Sequence, residues 1–112
     1  MNHHVKVDVY GNKRYYVNNV LHREDGPAVE YANGDKWWYK NGELHREDGP
    51  ALEWVSGYKE WWIEDKRHRL NGQAIETPNG DKEWWLNEAC YGKNNDFTNK
   101  SWKRFIKTII FS

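Results

Sequence analysis

The chain has 112 residues, and its lysines plus arginines balance its aspartates plus glutamates at 17 each, leaving no net charge. That length holds one domain with a lean core, and the missing positive field excludes general binding to nucleic acid or to an anionic membrane. A lone cysteine, Cys90, excludes an intrachain disulfide framework and a thiolate metal cluster.

At the N-terminus, MNHHVKVDV lacks the apolar stretch of a signal peptide. A cytoplasmic location is expected, in keeping with the single cysteine. His3 and His4 read as a solvated terminus, and no metal or other cofactor is expected. Alternation in VKVDV sets Val5, Val7 and Val9 on one face and predicts a first strand over 4–10. Being a valine-rich edge, it leaves a homodimer open.

From there the chain repeats. His22, His45 and His68 recur every 23 residues. LHREDGPA stands at 21–28 and again at 44–51; HRLNGQA at 68–74 keeps the His-Arg, the Gly and the Ala; CYGKNND at 90–96 is a degenerate fourth copy. Aromatic pairs accompany the repeat at Tyr15-Tyr16, Trp37-Trp38, Trp61-Trp62 and Trp84-Trp85. Turn signals precede them at Gly11-Asn12, Asn33-Gly34, Ser56-Gly57 and Asn79-Gly80, and another follows the second pair at Asn41-Gly42. Each copy predicts two short strands, one with the aromatic pair and one through Gly-Pro-Ala: 13–18, 27–32, 35–40, 50–55, 59–64, 73–77 and 82–87. The expected fold class is mainly β: an antiparallel meander of about eight strands, built of tandem 23-residue β-hairpin repeats over 11–95 in a single domain 1–112.

Alternation then assigns faces. Tyr15, Trp37, Trp61 and Trp84 share parity with Val17, Tyr39, Ile63 and Leu86, which predicts a core face. Tyr16, Trp38, Trp62 and Trp85 fall among charged neighbours, which predicts an aromatic ladder on a polar face, with Ala28, Ala51 and Ala74. The chain closes with Trp102, Phe105, Ile106, Ile109 and Ile110 at helical spacing, predicting an amphipathic helix over 97–110, N-capped by Thr98, that covers part of the core face or plugs the end of the array.

WYKNGELHREDGPALEW resembles the MORN-type repeat, and more closely a variant of the form W-W/Y-x-N-G-x-x-H-R-E-D-G-P-A. That variant is found in tandem in small proteins of tailed phages and giant viruses, usually before a short C-terminal helix. The likeness covers about residues 11–110. It implies a hairpin array and a phage or viral origin; related variants are described as antitoxins, and MORN repeats act in protein or lipid contact. Lys66 in place of the turn glycine and Gln73 in place of the proline depart from the pattern.

The histidines and arginines of the motif, His22, Arg23, His45, Arg46, His68 and Arg69, are the evident candidates for chemistry. Tandem identical groups do not make the single asymmetric constellation that catalysis needs, and no nucleophile elbow, phosphate loop or paired metal-ligand motif is present. A non-enzymatic binding protein is expected, engaging a host protein as an inhibitor or anti-defence factor through Tyr16, Trp38, Trp62 and Trp85, with the His-Arg pairs as rim. Two alternatives stand beside it: a sponge for a small nucleotide messenger, and a structural virion component.

Overall fold

A computed structural model describes residues 2–110, with the main chain only for Ile110. Four two-residue turns set its architecture. At Asn18-Asn19, Asn41-Gly42, Glu64-Asp65 and Asn87-Glu88 both residues have positive φ, between 48° and 80°. This is the mirror-image turn whose twist suits a two-residue hairpin.

The strands are β1 (His3–Val7), β2 (Lys13–Val17), β3 (Val20–Leu21), β4 (Val29–Glu30), β5 (Lys36–Trp37), β6 (Tyr39–Lys40) and β7 (Glu43–Leu44). They continue with β8 (Leu52–Glu53), β9 (Lys59–Glu60), β10 (Trp62–Ile63), β11 (Lys66–Arg67), β12 (Ile75–Glu76), β13 (Lys82–Leu86) and β14 (Ala89–Lys93). All pairings are antiparallel. The main sheet runs β1-β2-β4-β5-β8-β9-β12-β13-β14, with β3 against the far half of β2, and β6-β7 and β10-β11 form separate hairpins.

The mainly β meander of hairpin repeats with one C-terminal helix holds, with fourteen short strands among the described residues instead of about eight. The second and third aromatic strands divide, into β5 with β6 and β9 with β10, while β2 and β13 stay whole. In all four copies the second half pairs across the mirror-image turn with a segment the sequence did not mark as strand. The result is a thin slab, 46 × 32 × 19 Å.

The turn at Glu64-Asp65 holds a glutamate at φ 48°, where asparagine is the better occupant. Glu64→Asn is expected to stabilise the protein by about 0.5–1 kcal/mol. Thermal unfolding would show this as a rise of a few degrees, and an unchanged melting temperature would count against strain at this turn.

Register assigns the faces. One face carries the run Lys13, Glu30, Lys36, Glu53, Lys59, Glu76, Lys82, opposite charges side by side across seven strands, each neighbouring pair favourable by a few tenths of a kcal/mol (roughly 0.2–1). The other face carries Arg14, Val29, Trp37, Leu52, Glu60, Ile75 and Glu83. Trp37 stands there in edge contact with Tyr31 and Trp54, at ring distances of 5.0 and 6.1 Å.

The predicted aromatic faces need correction. Tyr15 lies on the charge-ladder face, because Arg23 both covers its ring at 3.9 Å and pairs with Glu30 at 2.8 Å. Arg46 does the same for Trp38 and Glu53, and Arg69 covers Trp61 at 3.9 Å. The equivalent residues are thus Tyr15, Trp38, Trp61 and Trp84. Trp38 does not belong with Tyr16, Trp62 and Trp85, and Trp37 does not belong with Tyr15, Trp61 and Trp84. The cause is drift: successive aromatic pairs lie 22, 24 and 23 residues apart, while the histidines keep a constant 23. Ala28, Ala51 and Ala74 are fully buried, so they are not a solvent face either.

The helix α1 (Asn99–Ile110) follows a short 3₁₀ turn at Asn94–Asp96 and starts two residues later than expected. Thr98 caps it, accepting from the Ser101 N–H at 3.0 Å, while Ser101 Oγ accepts from the Thr98 N–H at 2.8 Å. The helix plugs the last repeat. Trp102, fully buried, packs with Trp84 and Leu86, flanked by Phe97, Phe105 and Ile106. Ile109 leaves this cluster, 39% exposed, and the side chain of Ile110 lies outside the described residues.

Candidate binding grooves between the repeat loops

The two HREDGP segments and the HRLNGQ segment at 68–73 form three loops in a row along one side of the slab, fixed from within by their own polar groups. Arg23 Nε donates to Asp25 at 2.9 Å, and its Nη1 donates to the Pro27 carbonyl at 3.1 Å and to Glu30. Arg46 repeats this with Asp48, the Pro50 carbonyl and Glu53 at 3.0, 3.1 and 3.1 Å. Burial pulls the Arg23 guanidinium toward a lower pKa, but the bonds to Asp25 and Glu30 win and hold it above its ordinary value. Each guanidinium sits over the ring eight residues before it, so the loop is pinned by cation–ring contact, charge and hydrogen bonds together.

The histidines join one copy to the next. Nδ1 of His22, His45 and His68 accepts from the backbone N–H of Asn41, Glu64 and Asn87, at 2.9, 3.1 and 3.1 Å. A ring nitrogen that accepts carries no proton, so each ring is the neutral tautomer with its hydrogen on Nε2. Nε2 then donates to Glu24 at 2.7 Å and to Glu47 at 3.3 Å. Burial pushes His68 below the usual imidazole range.

That shift has a sign. The folded state disfavours protonation of His68, so its contribution is complete above the unfolded imidazole pKa, about 6.5. It is lost as pH falls from there toward the lower folded value. Melting temperatures at pH 8 are expected to exceed those at pH 5, with a smaller difference in His68→Gln. An identical pH profile in that variant would remove His68 from the account.

Between successive loops run open grooves. One of about 650 Å³ lies between the first and second loops, with Trp38 and Arg46 in its wall and Glu24, Asp25, Glu47 and Asp48 on its rim. One of about 670 Å³ lies between the second and third, lined by Trp61, Ile63, Arg46, His68 and Arg69. A third, about 400 Å³, lies where β1 replaces a preceding loop, beside His4, Tyr15, Tyr16, His22 and Arg23. The carboxylates of Glu24, Asp25, Glu47 and Asp48 stand 76–87% exposed.

The fourth copy breaks the pattern. Gly92 stands where an arginine would be, and a Cβ there would meet the Phe97 ring at 2.9 Å. Phe97 and Trp102 cover Trp84, at ring distances of 5.7 and 5.4 Å, in place of a guanidinium. Among the described residues the row therefore has three loops and ends against the helix.

Of the residues singled out from the sequence, Tyr16, His22, Arg23, Trp38, His45, Arg46, His68 and Arg69 line these grooves. Trp62 and Trp85 lie apart. Arg67 sits between their rings at 4.7 and 4.9 Å, and their indole N–H groups donate to Glu60 and Glu83 at 2.9 Å. Tyr15, Trp61 and the exposed acids were missed. The signal was present: eight residues before Arg23, Arg46 and Arg69 stand Tyr15, Trp38 and Trp61.

Among the described residues no group of three or more His, Cys, Asp or Glu is arranged to hold a metal ion, and no helix is long and apolar enough to cross a membrane. Fold and grooves together define an array of tandem β-hairpin repeats closed by a helical plug. Comparison with family models, curated proteins and solved structures finds no match.

Proposed function

We propose that the chain is a non-enzymatic binding protein whose loop row receives a protein partner. One observation carries this: the same fixed Arg-on-ring stack recurs at three loops, with open grooves between them and exposed carboxylates on the rim of the first two. Rigid aromatic and guanidinium surface beside polar rims is what binding hot spots are made of. In the first two loops the histidine and arginine donors are taken up by structural bonds, which supports binding over catalysis. The carboxylates of those loops oppose a phosphate, so they lend no support to a nucleotide sponge. The likeness to repeats of phage and giant-virus proteins supports a viral origin and, with it, a host protein as partner.

The test is recovery of a partner from host lysate by the wild-type protein and by Glu24→Lys/Glu47→Lys. Both side chains are more than three-quarters exposed, so the double variant is expected to fold and to lose the partner at least ~tenfold. A folded double variant that retains the same partner at wild-type level would contradict the assignment of the loop row.

A further inference from the structure

The third loop keeps the donors of the first two and lacks their acceptors. Leu70 replaces the glutamate and Asn71 the aspartate. Among the described residues, His68 Nε2 and Arg69 Nε have no carboxylate partner, whereas their counterparts bond to Glu24, Glu47, Asp25 and Asp48. Nothing has loosened the donors themselves. His68 is held by the Asn87 N–H at 3.1 Å, and Arg69 by the Trp61 ring at 3.9 Å and the Gln73 carbonyl at 3.1 Å.

A second change acts in the same direction. Gln73, which replaces the proline, donates its side-chain amide to Glu76. The ladder glutamate is drawn off, and its distance from the arginine grows from 2.8 and 3.1 Å in the first two copies to 3.7 Å in the third. Burial leaves the Arg69 guanidinium below its ordinary pKa, only partly offset by Glu76, where that of Arg23 is raised. A half-buried cation short of acceptors favours an incoming anion.

We propose that the third loop is a binding site for two neighbouring carboxylates on an acidic segment of the partner protein, received by His68 Nε2 and Arg69 Nε. The incoming pair takes the places that Glu24-Asp25 and Glu47-Asp48 hold in the sister loops. Leu70, 42% exposed, gives the segment an apolar contact beside them. This rests on the loop row being the partner surface, and it adds the chemistry of one end of that surface.

The probe is a capped peptide, Ala-Glu-Asp-Gly-Pro, titrated to about 10 mM, the range suited to a ligand with two charge contacts. Nitrogen-detected spectra would follow the arginine Nε–H and histidine ring signals. Arg69 and His68 are expected to shift, while Arg23, Arg46, His22 and His45 stay still. Leu70→Glu/Asn71→Asp restores the self-filled loop. It is expected to melt higher than wild type and to bind the peptide at least ~tenfold more weakly, and Asn71→Asp alone is expected to fall between. No Arg69 shift, equal shifts in all three loops, full binding by the filled variant, an equal response to the uncharged control peptide Ala-Gln-Asn-Gly-Pro, or an equal response to inorganic phosphate would each overturn the site. If the filled variant keeps a lysate partner that Glu24→Lys/Glu47→Lys loses, this site fails and the loop-row reading stands. If the peptide shifts Arg69 while the double lysine variant binds its partner normally, the reverse holds.

Discussion

Trp102→Ala is expected to cost about 3–5 kcal/mol, the range for removing a fully buried large aromatic, and to lower the melting temperature by about 12–20 °C. A protein of this kind has about 5–15 kcal/mol in all, so this one change takes a large share. The reason is where the apolar mass lies. Among the described residues, the apolar side chains buried over most of the slab's length are small residues and single aliphatics, Ala28, Val29, Ala51, Leu52, Ala74 and Ile75. Among the described residues, the one cluster of large buried rings is Trp84 with Trp102, supported by Phe97 and Phe105. Without Trp102 the last repeat keeps only the Phe97 ring in edge contact with Trp84, at 5.7 Å, and has no guanidinium to replace the lost indole. Lys103→Ala on the exposed side of the same helix is expected to change the melting temperature by no more than a degree or two. Equal effects of the two substitutions, followed by thermal unfolding, would show that the helix is not the plug.

Arg46→Ala is expected to cost about 2–4 kcal/mol, because it removes a stacked cation and leaves half-buried acceptors without donors. Arg46 serves Asp48, the Pro50 carbonyl and Glu53 while covering Trp38. Arg46→Lys is expected to recover little, since an ammonium cannot lie flat on the ring and reach three acceptors at once. Arg69→Ala is expected to cost about half as much, its bonds being fewer and its glutamate more distant. Chemical denaturation of the three variants measures this order. A loss at Arg69 as large as that at Arg46 would mean that the third loop is as fully satisfied as the second.

The sequence made the period, the hairpin character and the helix legible because each rests on a local signal: identical octapeptides, Asn-Gly turns, and apolar spacing along one helical stripe. Two features were hidden. The short third strand of each copy follows a turn whose positive φ values fall on Asn18-Asn19, Glu64-Asp65 and Asn87-Glu88, and only Asn41-Gly42 advertises such a turn in its composition. The face of the second pair was obscured by drift. Alternation puts the two rings of each pair on opposite faces, but the pairs do not keep the 23-residue period, and at Trp37-Trp38 the in-phase ring is the second. Counting back from the arginine would have settled it, because the guanidinium and the ring it covers are fixed by contact. The His-Arg pairs of the loops were read as the rim of a binding surface and not as a reaction centre. What spacing could not reveal is that the same groups wall a row of grooves, since that depends on how neighbouring copies stand side by side.

The central claim is that a partner protein sits on the loop row, and hydrogen–deuterium exchange of the free and partner-bound protein tests it most directly. The account predicts added protection concentrated at residues 22–28, 45–51 and 68–74, with the opposite face around Tyr31, Trp37 and Trp54 unchanged. Protection confined to that opposite face, with the three loops exchanging as in the free protein, would contradict it.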